Sequence, residues 1–189
     1  MKYIEDKLFD KKDFSTVNLE LGDYELCTFL NCNFSNSDLS GISFIDCEFV
    51  DCNLSNVDMH NTLFQEVKFK ACKMLGLRFD SCNQIGLSFS FVECVLDHSS
   101  FYRNKIRATS FADSQLQEVD FTQSDLSQAV FENCELTRTV FDETNLEGAD
   151  LRNAINYVID PERNSIRMAK FSLEGTKGLL AKYNIEIED

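Results

Sequence analysis

Between Phe121 and Leu151 the chain reads FTQSDLSQAVFENCELTRTVFDETNLEGADL, with a large apolar residue at every fifth position: Phe121, Leu126, Phe131, Leu136, Phe141, Leu146 and Leu151. A helix brings residues three or four apart onto one face, and a strand alternates faces, so neither keeps a period of five on one side. The period demands a coil with flat sides, each side sending one large residue inward. Backward, the register passes through Leu116, Phe111, Ile106 and Phe101 to Leu96. A second register, offset by two residues, runs Phe14, Leu19, Tyr24, Phe29, Phe34, Leu39, Phe44, Phe49, Leu54, Met59, Phe64, Phe69, Met74 and Phe79, meets Gln84 and recovers at Phe89. Of these 28 positions 27 are large and apolar, and they hold 14 of the 17 Phe residues, so the pattern is no chance run.

The position two before each large residue supports a narrow interior. It is mostly small (Cys27, Cys32, Ser37, Val57, Thr62, Ala129, Thr139, Thr144, Ala149), with Lys12, Ile42, Leu77 and Asn104 as exceptions. Quintets such as SDLSG, SDLSQ, TNLEG and ADLRN resemble the A(D/N)LXX quintet of the pentapeptide-repeat proteins over residues 14 to 151. The resemblance implies an all-β fold, a right-handed quadrilateral parallel β-helix with twenty residues per coil. Twenty-residue stacking predicts a column Phe29, Phe49, Phe69, Phe89, Phe111 and Phe131, and another of Cys32, Cys52, Cys72, Cys94 and Cys134. Both columns survive the register break if its two extra residues form a bulge near 90–92. The chain thus divides into a lead-in or cap (1–13), about seven coils (14–151), and a cap or dimerisation module (152–189). At about 4.8 Å per stacked strand the rod is on the order of 35 Å long.

The eight cysteines lack the close pairs of a zinc site, and a chain without an export signal keeps its thiols reduced. They read as small buried hydrophobes. The run Asp97-His98-Ser99-Ser100 holds triad residue types, but neighbours on one β side do not converge on a substrate. No phosphate-binding glycine loop occurs either. The expectation is a protein that is not an enzyme, carries no cofactor or metal, and enters no membrane. Its expected place, by default, is the cytoplasm.

Charge is unevenly placed. The net charge of −14 falls within residues 14–151: nine acids and no base in 14–66, seven bases against three acids in 67–112, and ten acids against Arg138 in 113–151. Solubility alone accounts for a charged surface. Spacing suggests more, because −14 over such a rod is one charge per roughly 2.5 Å, near the one per 1.7 Å of duplex DNA. Members of the resembled family of the Qnr and MfpA types mimic DNA at type II topoisomerases, DNA gyrase among them, and give quinolone resistance. The resemblance therefore implies a protein partner of that kind, with no direct nucleic-acid binding. The candidate partner-binding acids are Glu118, Asp120, Asp125, Glu132, Glu135, Asp142, Glu143, Glu147 and Asp150. The alternative is an interaction scaffold with no link to DNA enzymes, and the basic middle favours it.

Beyond Leu151 the period stops. A turn at Asp160-Pro161, a helix over 173–183 capped by Ser172, and a strand-like end at 185–188 are predicted. Phe171, Leu173, Leu179, Leu180, Tyr183, Ile185 and Ile187 are the candidate cap or homodimer contacts, since an open solenoid end must be covered.

Overall fold

The computed structural model describes residues 2–187. The short strands are β1 (Lys2–Glu5), β2 (Leu8–Asp10), β3 (Gly22–Glu25), β4 (Thr28–Leu30), β5 (Ser43–Ile45), β6 (Glu48–Val50), β7 (Leu63–Gln65), β8 (Val67–Lys70), β9 (Phe89–Val92), β10 (Ser110–Ala112) and β11 (Val130–Glu132). All pair in parallel, in sheets ordered β1-β3-β5-β7 and β2-β4-β6-β8-β9-β10-β11. Isolated bridges twenty residues apart, such as Asn33↔Asn53, Asp120↔Val140 and Asp125↔Asn145, complete the other sides. The result is a right-handed, four-sided β-solenoid of about seven turns across the repeat. For reference, sides I to IV send Phe34, Leu39, Phe44 and Phe49 inward in one coil.

Each quintet residue has a physical task. The large residue is buried at nearly every register position. The preceding Asp or Asn bends back, its side chain accepting the backbone N–H two residues on: Asp38 from Ser40 at 2.8 Å, Asp120 from Thr122 at 2.8 Å, Asn53 from Ser55 at 3.1 Å. Two residues after the large one the backbone turns the corner in the left-handed region, at Asn36 (φ 57°), Asn56 (φ 56°) and Gly41 (φ 71°) for example. The interior is a set of ring stacks. On side IV Phe9, Phe29, Phe49 and Phe69 follow at 4.8, 4.7 and 5.1 Å, and on side II Phe79, Phe101, Phe121 and Phe141 at 4.4, 5.1 and 5.5 Å.

The small inward position proves to be a donor site. The thiols of Cys27, Cys32, Cys47, Cys52, Cys72, Cys94 and Cys134 donate to carbonyl oxygens of the coil before, at 3.2–3.6 Å. The hydroxyls of Thr62, Ser99 and Thr144 and the amides of Asn104 and Asn164 do the same. All eight cysteines are free and buried. Burial pushes the Cys47, Cys82 and Cys134 thiols up to about 12.

Three expectations need correction. The ring after Phe69 in the side IV stack is Phe91, at 5.4 Å and followed by Phe111 at 5.2 Å, not Phe89. Phe89 pairs with Val67 and takes the small inward position, where it meets Phe79 at 5.2 Å. The two extra residues do not lie at 90–92. Asn83 still donates to Thr62 with the spacing of earlier coils, whereas Val67 already pairs with Phe89, so the insertion lies between Asn83 and Ser88. Gln84 turns its amide onto the Phe79 and Cys82 carbonyls instead of filling the core. Third, the predicted C-terminal helix shrinks to α1 (Thr176–Leu180) and a 3-10 turn at Ala181–Tyr183. Ser172 does accept the Gly175 N–H at 3.0 Å, but residues 185–187 form no strand, and Glu188 lies outside the described residues.

The ladder outlasts the apolar period at both ends. β1 and β2 pair with β3 and β4, and Glu135↔Ile155, Asn145↔Ser165 and Asp150↔Lys170 continue the coil with Ala154, Tyr157 and Ile159 buried. α1 then docks on Tyr157 through two glycines. A Cβ at Gly178 would sit 2.2 Å from the Tyr157 carbonyl oxygen, and one at Gly175 would sit 1.9 Å from its hydroxyl.

Truncating Phe69 or Phe111 to Ala should cost about 3–5 kcal/mol, because stacked coils held by backbone bonds cannot close around a lost ring. Cys72→Ser should cost about 1 kcal/mol or less, since a hydroxyl there keeps the bond to the Phe49 carbonyl. Chemical denaturation of the three variants checks both; a Phe→Ala change without effect refutes the inward stack.

Candidate interaction surface

The described residues hold no cluster of three or more His, Cys, Asp or Glu side chains able to bind a metal. Among the described residues no helix is long and apolar enough to cross a membrane. The Asp97–Ser100 run serves the fold: Ser99 is buried and bonds the Met74 carbonyl, Asp97 accepts the Gln117 N–H, and His98 turns a corner toward Glu118. What varies along the rod is its outward charge.

The nine candidate acids do not share a face. Glu135 stands on side I; Asp120 and Asp142 on side II; Asp125 and Glu147 on side III; Glu132 and Asp150 on side IV; Glu118 and Glu143 on corners. Five of them are also ion-paired. Glu118 meets Arg138 at 2.9 Å and His98 at 3.1 Å, Asp125 meets Arg107 at 2.6 Å, and Asp142 meets Arg163 at 2.6 Å. Glu147 lies 4.0 Å from Arg167, and Asp150 lies 2.7 Å from Arg152 and 3.8 Å from Lys170. Four of these cations come from residues 152–170, which stack directly over the last repeats. Asp120, Glu132, Glu135 and Glu143 have no basic partner among the described residues.

The first coils are different. Glu20 contacts Lys2, and Glu48 contacts Lys68 at 3.3 Å. Asp23, Glu25, Asp38, Asp46, Asp51, Asp58 and Glu66 have no basic partner among the described residues. Five of these seven, Asp38 and Asp58 excepted, lie on side III or on the corners bounding side IV. Linear charge counting missed this asymmetry because coil stacking, not sequence distance, decides which charges meet.

Two of the paired acids, Asp125 and Asp150, titrate low. Burial alone would raise the Asp125 carboxyl, but hydrogen bonds from Arg107 and Ser127 outweigh it and hold the group below its ordinary value. The Arg152 hydrogen bond likewise lowers Asp150. The candidate dimer residues divide as well. Phe171 and Leu179 pack against the core, whereas Leu173 is 90% exposed, and Leu180, Tyr183, Ile185 and Ile187 also face solvent. Lys182 ties the module to the coil through Asp160 at 2.6 Å and Glu162 at 2.8 Å.

Two family models match the sequence: "Pentapeptide repeat region" over residues 23–90 and "Pentapeptide repeats (8 copies)" over residues 114–153. Together they span more than half the chain, and the chain belongs to the pentapeptide-repeat family. Among solved structures it is similar to a trypsin-treated variant of QnrB1, described as a plasmid-mediated fluoroquinolone resistance protein. That match has a TM-score of 0.60 and 20% identity, and covers 100% of this chain and 92% of the other. Full-length QnrB1 overlaps less well, with a TM-score of 0.44, 21% identity, and coverage of 97% and 100%. HetL, a pentapeptide repeat protein involved in heterocyst differentiation regulation in the cyanobacterium Nostoc sp., gives 0.31, 13%, and coverage of 88% and 86%. At these identities the likeness concerns the fold alone. A search of curated proteins finds no match.

A carboxylate whose folded pKa is depressed contributes stability above its ordinary value, 3.8 for Asp, and loses it as pH falls through the folded value. An Arg107→Met/Arg152→Met double variant should therefore melt below the wild type at pH 7. The two melting temperatures should converge as pH drops below 3.8; calorimetry from pH 7 to pH 2 reads the difference.

Proposed function

We propose that the protein is a non-enzymatic acidic rod that occupies the DNA-binding groove of a type II topoisomerase such as DNA gyrase, working in the cytoplasm as a homodimer joined through its C-terminal module. The observation that carries this reading is the set of seven carboxylates between Asp23 and Glu66 without a basic partner among the described residues, fixed on a regular backbone. Such a surface presents negative charge at near-duplex density, and a groove built for phosphates attracts it electrostatically. The likeness to a fluoroquinolone resistance protein makes gyrase the first enzyme to test. The second reading is a scaffold for a partner unrelated to DNA. It is favoured by the basic band at 67–112 and by the ion-paired acids of the last coils.

Supercoiling by purified gyrase separates the two. Wild-type protein at tens of micromolar should inhibit it, and the inhibition should fall steeply with salt. Asp23→Lys, Asp46→Lys and Asp51→Lys together should abolish inhibition while costing no more than about 0.5 kcal/mol each. The set Asp120→Lys, Glu132→Lys and Glu135→Lys should reduce it less. A wild-type protein that leaves supercoiling and quinolone-induced cleavage unchanged rules out the mimic and leaves the scaffold.

For dimerisation, the exposed Leu173, Tyr183, Ile185 and Ile187 supply an apolar surface beyond the last coil. Sedimentation should show a dimer at tens of micromolar, and Leu173→Asp with Ile185→Asp should give a folded monomer. A monomeric wild type would leave the module only its docking on Tyr157.

A further inference from the structure

The insertion between Asn83 and Ser88 does more than break the register. It opens a groove of about 340 Å³ where sides III and IV meet. Its floor is formed by the buried Val67, Leu87 and Phe89, and the side chains of Lys68, Arg107 and Glu66, the last held by the Ser88 hydroxyl at 3.0 Å, stand on its walls. The loop beside it raises Ile85, 80% exposed, two residues before Leu87. The loop is braced rather than loose. Asn83 accepts the Ile85 N–H at 3.0 Å, Gln84 donates to the Cys82 carbonyl at 2.9 Å, and Asn104 donates to Gln84 at 2.8 Å. A braced loop holding an isoleucine in water forgoes burial of a large aliphatic side chain. The same site lies in the basic band of a rod otherwise strongly acidic.

From this juxtaposition we infer that the groove and Ile85 form a docking site for a short acidic segment of a partner protein carrying one or two large apolar residues. One apolar side chain of the segment enters the groove, and Ile85 packs against the next. Carboxylates on either side of it meet Lys68 and Arg107: Lys68 shares a solvent-exposed, exchangeable pair with Glu48, and the Arg107 guanidinium stays exposed while it holds the mostly buried Asp125. Charge selects the occupant. Lys70 and Lys105 lie in the same band with no acid partner among the described residues, so an acidic segment finds uncompensated cations close to the groove. An apolar floor and an exposed isoleucine offer nothing to a phosphate backbone, and the acidic coils above and below repel any duplex longer than the band. Apart from Glu66, which lines the groove, the site stands on different residues from the acidic surface of the first coils, so it holds whether or not that surface binds gyrase.

A fluorescein-labelled peptide, Glu-Asp-Glu-Leu-Phe-Glu-Asp-Glu, tests the site by anisotropy with the full chain. Saturable binding is expected. Ile85→Asp should weaken it about tenfold, equal to 1.4 kcal/mol, and Lys68→Ala with Arg107→Ala should do the same. The peptide with Ala-Ala for Leu-Phe should bind at least as poorly, and Asp120→Lys should change nothing. All four altered side chains are outward, so melting temperatures report whether each variant keeps the fold. The proposal is overturned if the peptide does not bind at millimolar protein, or if Ile85→Asp leaves its affinity unchanged. It is equally overturned if a twelve-base-pair duplex displaces it from the folded wild type, which would make the band a nucleic-acid site.

Discussion

Coils of a parallel β-helix stand one strand spacing apart, and the rest of this molecule depends on that distance. Ring stacking and strand spacing agree closely: successive Phe rings on side IV are separated by 4.7–5.4 Å, so the same repeat that satisfies the backbone brings aromatic faces into contact. A bulkier inward set would force the coils apart and break the ladder. A smaller one would leave a void that the ladder prevents from closing. The backbone bonds thus set the size of the core residue, and the core residue in turn shields the inward side of the ladder from water.

The second inward position answers a different need. Where the chain bends from one side to the next, carbonyl groups point toward the interior; some, such as those of Leu39 and Phe121, take a turn N–H, and a buried acceptor short of donors is costly. Cys, Ser, Thr and Asn at this position supply the donor from the following coil. This accounts for seven of the eight free, buried cysteines, Cys82 excepted: the thiol is small, apolar enough for the core, and still able to donate. Val67 and Ala129 show that the position can also be filled without a donor.

Most of the coil was legible because its period of five belongs to no other backbone, and because stacking repeats it every twenty residues. The side assignments of Phe29, Phe49, Phe69, Phe111 and Phe131 follow from that arithmetic. Phe89 was misplaced because Phe89 and Phe91 are both inward, and only the pairing with Val67 and Phe69 tells them apart. The five-residue count carries through Gln84 to Phe89, which puts the break at 90–92, whereas the coil pairing puts it between Asn83 and Ser88. The surface was far less legible. Arg152, Arg163 and Arg167 belong to a neutral tail in sequence, yet in space they stand over Asp150, Asp142 and Glu147. The helix after Ser172 was overread because GTKGLLAKY has helical spacing, while Gly175 and Gly178 serve close contact with Tyr157 rather than helix length.

The reach of each inward donor to the coil before it gives this architecture a grammar of length. Removing twenty consecutive residues within the repeat would move every later donor to an equivalent acceptor, every ring onto an equivalent ring, and every corner onto a corner. Removing one residue would turn all later inward side chains outward. Evolution can therefore lengthen or shorten such a rod in whole coils, and any other change must be absorbed locally. Loop 83–88 is that absorption in visible form: two residues that fit no coil, expelled at a corner so that the remaining turns keep their count.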